Sequence, residues 1–411
     1  MTNFGRQSPP IQLTFYFSVP EDRSPLTDEV SSETTRWAEH LHLAEPALRD
    51  EIIRSDVGDW AGRALPRSET RIIRLPSDLL FWFFPFDDEY CEKGIFGEDP
   101  GRLAGALSWL IRVAEHPESP IETDNPLANG LRDIVTRIAA LATLRFTTDF
   151  VDTLRNAFFA AVWEASFQQR QEQPTLEEYL LMRCHSGLIH PFIMLMELGG
   201  SGELTTQERD CRPIRALVEM SGLIQNFDND ILSYHKESRE PYSLNAITVL
   251  CHQEQLAFPE AIERVLALRN CVMSRYLDVQ DSVRDHASRP VADFLDNIDS
   301  MVRATFDWQY HAFRYRRPDT AIHATATTAR PQASLEPLPF AAVSWWWDPA
   351  LTIFGAPPPL DLIPQRSPWQ VCTAGPRCRS PTRSTCPAPT WKQPRTPTVA
   401  GDTATETTAT S

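Results

Sequence analysis

The sequence predicts an all-α protein, a single-domain helical bundle around one central apolar cavity. Apolar residues recur every three or four positions nearly everywhere between Trp37 and Arg316. No convincing run of strand-type alternation interrupts that pattern. With 42% hydrophobic residues and 10% aromatics in 411 residues, the chain has the material for a sizeable core.

The organisation reads in three parts. Residues 1–12 form an N-terminal extension and residues 13–317 the α domain. Residues 318–411 read as a disordered Pro/Thr-rich tail, because sixteen of the 34 prolines fall there. Trp345-Trp346-Trp347 and Ile353-Phe354 are apolar segments within it that can dock on the body or on a partner.

Taken in chain order, the spacing predicts helices over residues 78–89, 101–115, 131–142, 147–169, 176–198, 259–287 and 290–313. A further helix opens near Pro213, a residue favoured in a first turn, and Ile214, Leu217, Ile224 and Ile231 trace its buried stripe. That stripe leaves another face for Asn229, Ser233 and Glu237.

Charge and apolar runs exclude several classes. A net charge of −16, with 39 Lys and Arg against 55 Asp and Glu, disfavours a nucleic-acid partner. The most apolar stretch, residues 79–86, contains Pro85 and is far shorter than the ~20 residues of a membrane span. Residues 1–12 are polar, without a secretory pattern, so a cytoplasmic protein is expected. Cysteines at 91, 184, 211, 251, 271, 372, 378 and 386 show no zinc-type spacing.

Two strings carry the chemistry. In Phe86-Asp87-Asp88-Glu89-Tyr90-Cys91-Glu92, carboxylates follow the oily run Leu79-Leu80-Phe81-Trp82-Phe83-Phe84-Pro85. Asp87, Asp88 and Glu92 would thus stand at the rim of an aromatic-walled space, four or five positions apart on neighbouring helix faces. Acidic triplets at helix ends also serve as solvated caps, so this string alone is weak.

In Asn229-Asp230-Ile231-Leu232-Ser233-Tyr234-His235-Lys236-Glu237, a carbonyl, a hydroxyl and a carboxylate recur at i, i+4 and i+8. They span about 12 Å of one ridge, and the long Glu237 leans back toward the helix N-terminus. Hard oxygen donors of this kind suit Mg²⁺ that also grips a diphosphate, and Lys236 adds a point charge for a phosphate oxygen. The alternative is an ordinary polar helix face.

Together these strings resemble the aspartate-rich and Asn/Ser/Glu motifs of the class I terpene synthases, the microbial terpene cyclases in particular. The first appears in the longer DDxxxE form, with Cys91 where the shorter version has its last acid. Upstream of the second, Arg183-Cys184-His185-Ser186-Gly187 is similar to the family's diphosphate-sensing segment. The resemblance gives Arg183 that sensing role and makes Ser186 and Gly187 a catalytic helix break, with Ser186 where many members carry Asp. Trp308 followed by Arg314-Tyr315 resembles the family's terminal Arg-Tyr pair, donors to the diphosphate.

The resemblance, over about residues 10–317, implies a Mg²⁺-dependent cyclase with three ions and a prenyl diphosphate substrate, with a possible homodimer and neither nucleic acid nor a membrane span. Farnesyl diphosphate is the expected substrate and geranylgeranyl diphosphate the alternative. Phe81, Phe84 and Trp308 are candidates for the pocket wall. A chain-elongating prenyltransferase would show a second aspartate-rich motif in place of Asn229, Ser233 and Glu237. A non-catalytic helical interaction protein is the reading from a different class.

Overall fold

The structure, a computed structural model, describes residues 11–92, 99–238, 244–315, 322–330 and 336–352, the side chain of Glu92 excepted. The chain divides into two units, 1–356 and 357–411, and every described residue belongs to the first.

Strand β1 (Ile11–Tyr16) leads into α1 (Thr27–His40), α2 (Pro46–Ser55), α3 (Val57–Ala64) and α4 (Thr70–Phe86). A π-helical turn, Asp87–Glu92, ends α4. Then follow α5 (Pro100–Glu115), α6 (Pro126–Leu141), α7 (Leu144–Arg170), α8 (Leu176–Arg183) and α9 (Ile189–Glu197). The short α10 (Thr206–Asp210) precedes α11 (Arg212–Glu237), α12 (Ala246–Gln253), α13 (Phe258–Arg284) and α14 (Arg289–His311). Strand β2 (Ile322–Thr327) and two 3₁₀ turns, Ser344–Trp347 and Pro349–Thr352, complete the unit.

Local chemistry explains the helix starts. Asp99, Asn125, Thr143, Thr175 and Ser288 accept first-turn backbone N–H groups, and Pro213 sits in the first turn of α11. The expected stripe of Ile214, Leu217, Ile224 and Ile231 is buried throughout. It packs α11 along α13 and against α9 and α14, while α14 also rests on α3. No described helix is long and apolar enough to cross a membrane.

Three expectations need correction. Strands do occur: β1 and β2 pair in parallel, Ile11 beside Ile322 through Tyr16 beside Thr327. Their alternation was readable, with Leu13 and Phe15 inward and Gln12 and Thr14 outward, but six residues in isolation are a weak signal. A two-stranded sheet needs support, and the Arg269 guanidinium supplies it by donating to Tyr16 O (2.7 Å) beneath the Phe15 and Phe17 rings.

The body also extends past Arg317, where it was expected to end. Trp346 is fully buried, and its indole N–H donates to Glu219 Oε2 (2.9 Å). Arg275 Nε donates to Trp346 O (2.7 Å), and Arg212 pairs with Asp348 at 2.8 Å. Backbone N–H groups of Ala341 and Ala342 donate to the Glu177 carboxylate at 3.0 and 2.7 Å. The remainder of the expected tail, residues 353–411, lies outside the described residues. Finally, the helix expected over 176–198 is two helices, α8 and α9, because residues 184–188 leave the helical path at Gly187 (φ +70°) and Leu188 (φ 54°).

Candidate active site

Pro85 shapes the rim of the cavity. Lacking an N–H, it cannot donate to Phe81 O, and two residues later the ladder is irregular, the Asp87 N–H being shared between Phe83 O and Phe84 O. The chain continues as the π turn, a form that often marks functional sites. Asp87 lines a cavity of about 490 Å³, whose walls include Trp60, Phe83, Phe84, Phe192 and Trp308. Phe84 and Trp308 stack at 6.1 Å.

Asp88 turns elsewhere. It is buried and accepts from Arg314 Nη2 (2.6 Å) and Nη1 (3.3 Å), so it does not stand at the cavity wall as expected of a ligand. Arg314 itself lines the cavity, lies 4.7 Å over the Phe84 ring, and also pairs with Glu51 at 3.0 Å. Burial opposes its charge, but the Asp88 carboxylate more than offsets that, and the guanidinium is held above its ordinary pKa. Trp308 is anchored by its indole N–H on Ser55 O (2.7 Å) and Asp56 O (2.9 Å). Tyr315 packs edge-on against it and lines the cavity. Phe81, expected in the wall, is buried in the core instead, one face of α4 away from Phe84.

On α11, Asn229, Lys236 and Glu237 line the same cavity as Asp87. Ser233 is buried on that helix; its hydroxyl lies near enough to favour the Glu237 carboxylate, yet makes no hydrogen bond of acceptable geometry among the described residues. Asn229 Oδ1 receives only a long contact from Arg183 Nη2 (3.5 Å), and Glu237 Oε2 accepts from Asn245 Nδ2 (2.9 Å). Burial, then the Asp230 charge, push the Glu237 pKa above its usual range. An orphaned hydroxyl between a carbonyl and a carboxylate is a hard-oxygen set that fits a divalent cation. Among the described residues no three His, Cys, Asp or Glu side chains gather at one point, so a cation here would share its shell with ligand oxygens. The Glu92 side chain lies outside the described residues.

Arg183, at the end of α8, is positioned by residues that sequence reasoning missed. Its Nη2 donates to Asp230 Oδ1 (2.7 Å) and its Nε to Tyr179 Oη (3.0 Å), while the Tyr179 hydroxyl donates to Asp230. Asp230 also accepts the Ala246 N–H (3.0 Å), tying α8, α11 and α12 together. Its place inside the second motif was the available signal. Ser186 Oγ accepts from Arg183 Nη1 (3.3 Å), and Asn226 donates to Arg183 O (2.8 Å), so the break is pinned from both sides. Gly187 lines the cavity.

Comparisons with known proteins point to one family. The family model described as "Terpene synthase family 2, C-terminal metal binding" matches residues 78–275. The chain is 31% identical over 342 residues to a (+)-T-muurolol synthase ((2E,6E)-farnesyl diphosphate cyclizing) of Streptomyces clavuligerus, covering 82% of each chain. It is 28% identical over 337 residues to a germacradien-6-ol synthase of Streptomyces pratensis, covering 80% of this chain and 94% of the relative. Among solved structures, the SVS_A2 protein from ancestral sequence reconstruction superposes with a TM-score of 0.73 at 25% identity, over 84% of this chain and 99% of that one. The 2-methylisoborneol synthase of Streptomyces coelicolor, solved with Mg²⁺ and 2-fluoroneryl diphosphate, shares the fold at a TM-score of 0.68 and 22% identity, over 77% and 100% of the two chains.

Proposed function

The chain belongs to the terpene synthase family, and from that premise we propose that it ionises farnesyl diphosphate, with three Mg²⁺ bound, and cyclises the cation to a terpene hydrocarbon or alcohol. It is a metal-dependent terpene cyclase, a lyase acting on a prenyl diphosphate. The observation that carries the finer reading is that Asp87, Asn229, Glu237, Arg183, Lys236 and Arg314 all line one aromatic-walled cavity. Farnesyl diphosphate is favoured over geranylgeranyl diphosphate by the relative that cyclises it.

We assign Asp87, Asn229, Ser233 and Glu237 to the ions, with Glu92 as the expected further acid. Asp88 we move from the ligands to the diphosphate-binding set, through its hold on Arg314. When bound, Mg²⁺ supplies the charge that neutralises the departing diphosphate. Arg183, oriented by Asp230 and Tyr179, and Arg314, oriented by Asp88 and Glu51, present preorganised donors to the same group. Lys236 and Tyr315 add a point charge and a hydroxyl at the rim. Gly187, at positive φ in the cavity wall, is assigned the place from which a backbone carbonyl faces the substrate. The faces of Phe83, Phe84 and Trp308 stabilise passing cations without attacking them, and closure around the chain excludes bulk water.

Purified protein incubated with geranyl, farnesyl and geranylgeranyl diphosphates, with and without Mg²⁺, tests the proposal by diphosphate release and product chromatography. Cyclic product from farnesyl diphosphate in the presence of Mg²⁺ is expected, with no consumption of isopentenyl diphosphate. Turnover that persists under a chelator, or consumption of isopentenyl diphosphate, would reject it. A homodimer is part of the same proposal; the exposed Trp109, Leu144 and Phe159 supply apolar surface for it, and sedimentation velocity checks it.

A further inference from the structure

The cavity carries a polar patch that ionisation does not use. Thr305 and Gln309 stand one turn apart on α14 and line the cavity with Gln225 of α11 and Trp60 of α3. The Trp60 indole N–H donates to Thr305 Oγ1 (3.0 Å), and the Thr305 hydroxyl donates to Gln225 Oε1 (2.7 Å). Gln225 Nε2 donates to Ser221 O (3.1 Å), which occupies one of its two N–H groups. Gln309 differs from these three. It is only 7% exposed, and its Oε1 is buried with no hydrogen-bond partner among the described residues.

A buried amide in this position needs a partner, and a prenyl chain offers it neither donor nor acceptor. With no partner for its oxygen among the described residues, water is the candidate that offers one, and a retained water needs two or more polar partners. The Gln309 amide, the second Gln225 N–H and the Thr305 oxygen are three polar groups on one stretch of wall.

We propose that this patch holds one water against the folded prenyl chain and that this water captures the final cation, so that the principal product is a terpene alcohol. The inference rests on the cyclase reading above. In the step, the water oxygen gives a lone pair to the cationic carbon and a C–O bond forms. The resulting oxonium passes a proton to the released diphosphate, leaving a neutral alcohol, and no oxidant or reductant is needed. Gln309 is a positioning residue: by hydrogen-bonding the water it turns a lone pair toward the substrate.

The test runs the full-length protein with farnesyl diphosphate and Mg²⁺ in ¹⁸O-water, measuring diphosphate release and product mass. The wild type is expected to yield mainly an alcohol bearing the label. In Gln309→Met, and in the near-isosteric Thr305→Val, the ratio of alcohol to hydrocarbon per diphosphate released is expected to fall about tenfold, the effect of losing one hydrogen bond. Circular dichroism selects the folded variants, and the wild-type labelling stands without them. Diphosphate release with hydrocarbon alone, an unlabelled alcohol, or an unchanged ratio in both folded variants overturns this inference and leaves the cyclase reading intact. Absence of diphosphate release from any prenyl substrate overturns both.

Discussion

Asp88 and Arg314, 226 residues apart in the chain, form a two-pronged pair at 2.6 and 3.3 Å, while Asp87, one position earlier, lines the cavity. Adjacent acids in one motif therefore have different surroundings. Asp87→Asn is expected to lower turnover about 10²–10³-fold and to raise the Mg²⁺ concentration needed. Asp88→Asn should cost about 10–100-fold, felt mainly in the KM for farnesyl diphosphate, because it frees Arg314 rather than removing an ion ligand. Mg²⁺ titrations of both variants separate the two, and identical Mg²⁺ dependence would refute the assignment.

Ser233→Ala removes a hydroxyl that makes no acceptable hydrogen bond among the described residues. Stability by urea denaturation should therefore change by no more than about 0.5 kcal/mol. The thermal shift produced by Mg²⁺ with inorganic diphosphate should shrink in the same variant. An unaltered shift would remove Ser233 from the ion site.

A chain ending at Ala356 is expected to keep its helical circular dichroism and its turnover. Ending it at Arg317 should not be tolerated, because that removes β2 and the buried Trp346 that braces Glu219. Losing Trp346 alone costs about 3–5 kcal/mol. Equal melting temperatures for the two truncations would contradict the docking of residues 336–352.

Arg269 and Asp228 are a buried ion pair, bonded at 2.9 and 3.2 Å. Asp228→Ala strands the guanidinium and should destabilise by about 3–5 kcal/mol in urea. Adding Arg269→Met to it should recover part of the loss.

His190 lies half-buried edge-on to His185 (5.4 Å), and desolvation, followed by the neighbouring His185, pushes its pKa down from 6.5 to about 3. A depressed value in the folded state means that the neutral ring contributes stability above pH 6.5, a contribution lost as pH falls toward 3. Unfolding free energy should decline through that window, and His190→Phe should flatten the decline. The same slope in both proteins would show that other groups govern acid sensitivity.

Much of the fold and site was legible without coordinates. The Asn229, Ser233 and Glu237 ridge could be read because it is local, side-chain spacing on a helix repeating every turn, whereas apolar spacing ran straight through the break at Gly187 and only the family resemblance pointed to it. Phe81 and Phe84 were not separable, since both are apolar residues of one oily helix and only its rotation sends one to the core and the other to the cavity. Tyr179 and Asp230 escaped because their importance lies in a contact 51 residues apart.

What the sequence determined by itself was the helical body, the acidic and Asn/Ser/Glu strings and their order, since these follow from periodicity and residue chemistry along single helices. Tertiary structure decided that Asp87 rather than Asp88 lines the cavity, that Ile322–Thr327 completes a sheet with the first strand, and that Gln309 Oε1 stands in the wall with no partner among the described residues. Each of those depends on which surfaces pack together over long chain separations, and side-chain burial and pairing are properties of that packing rather than of any local run of residues.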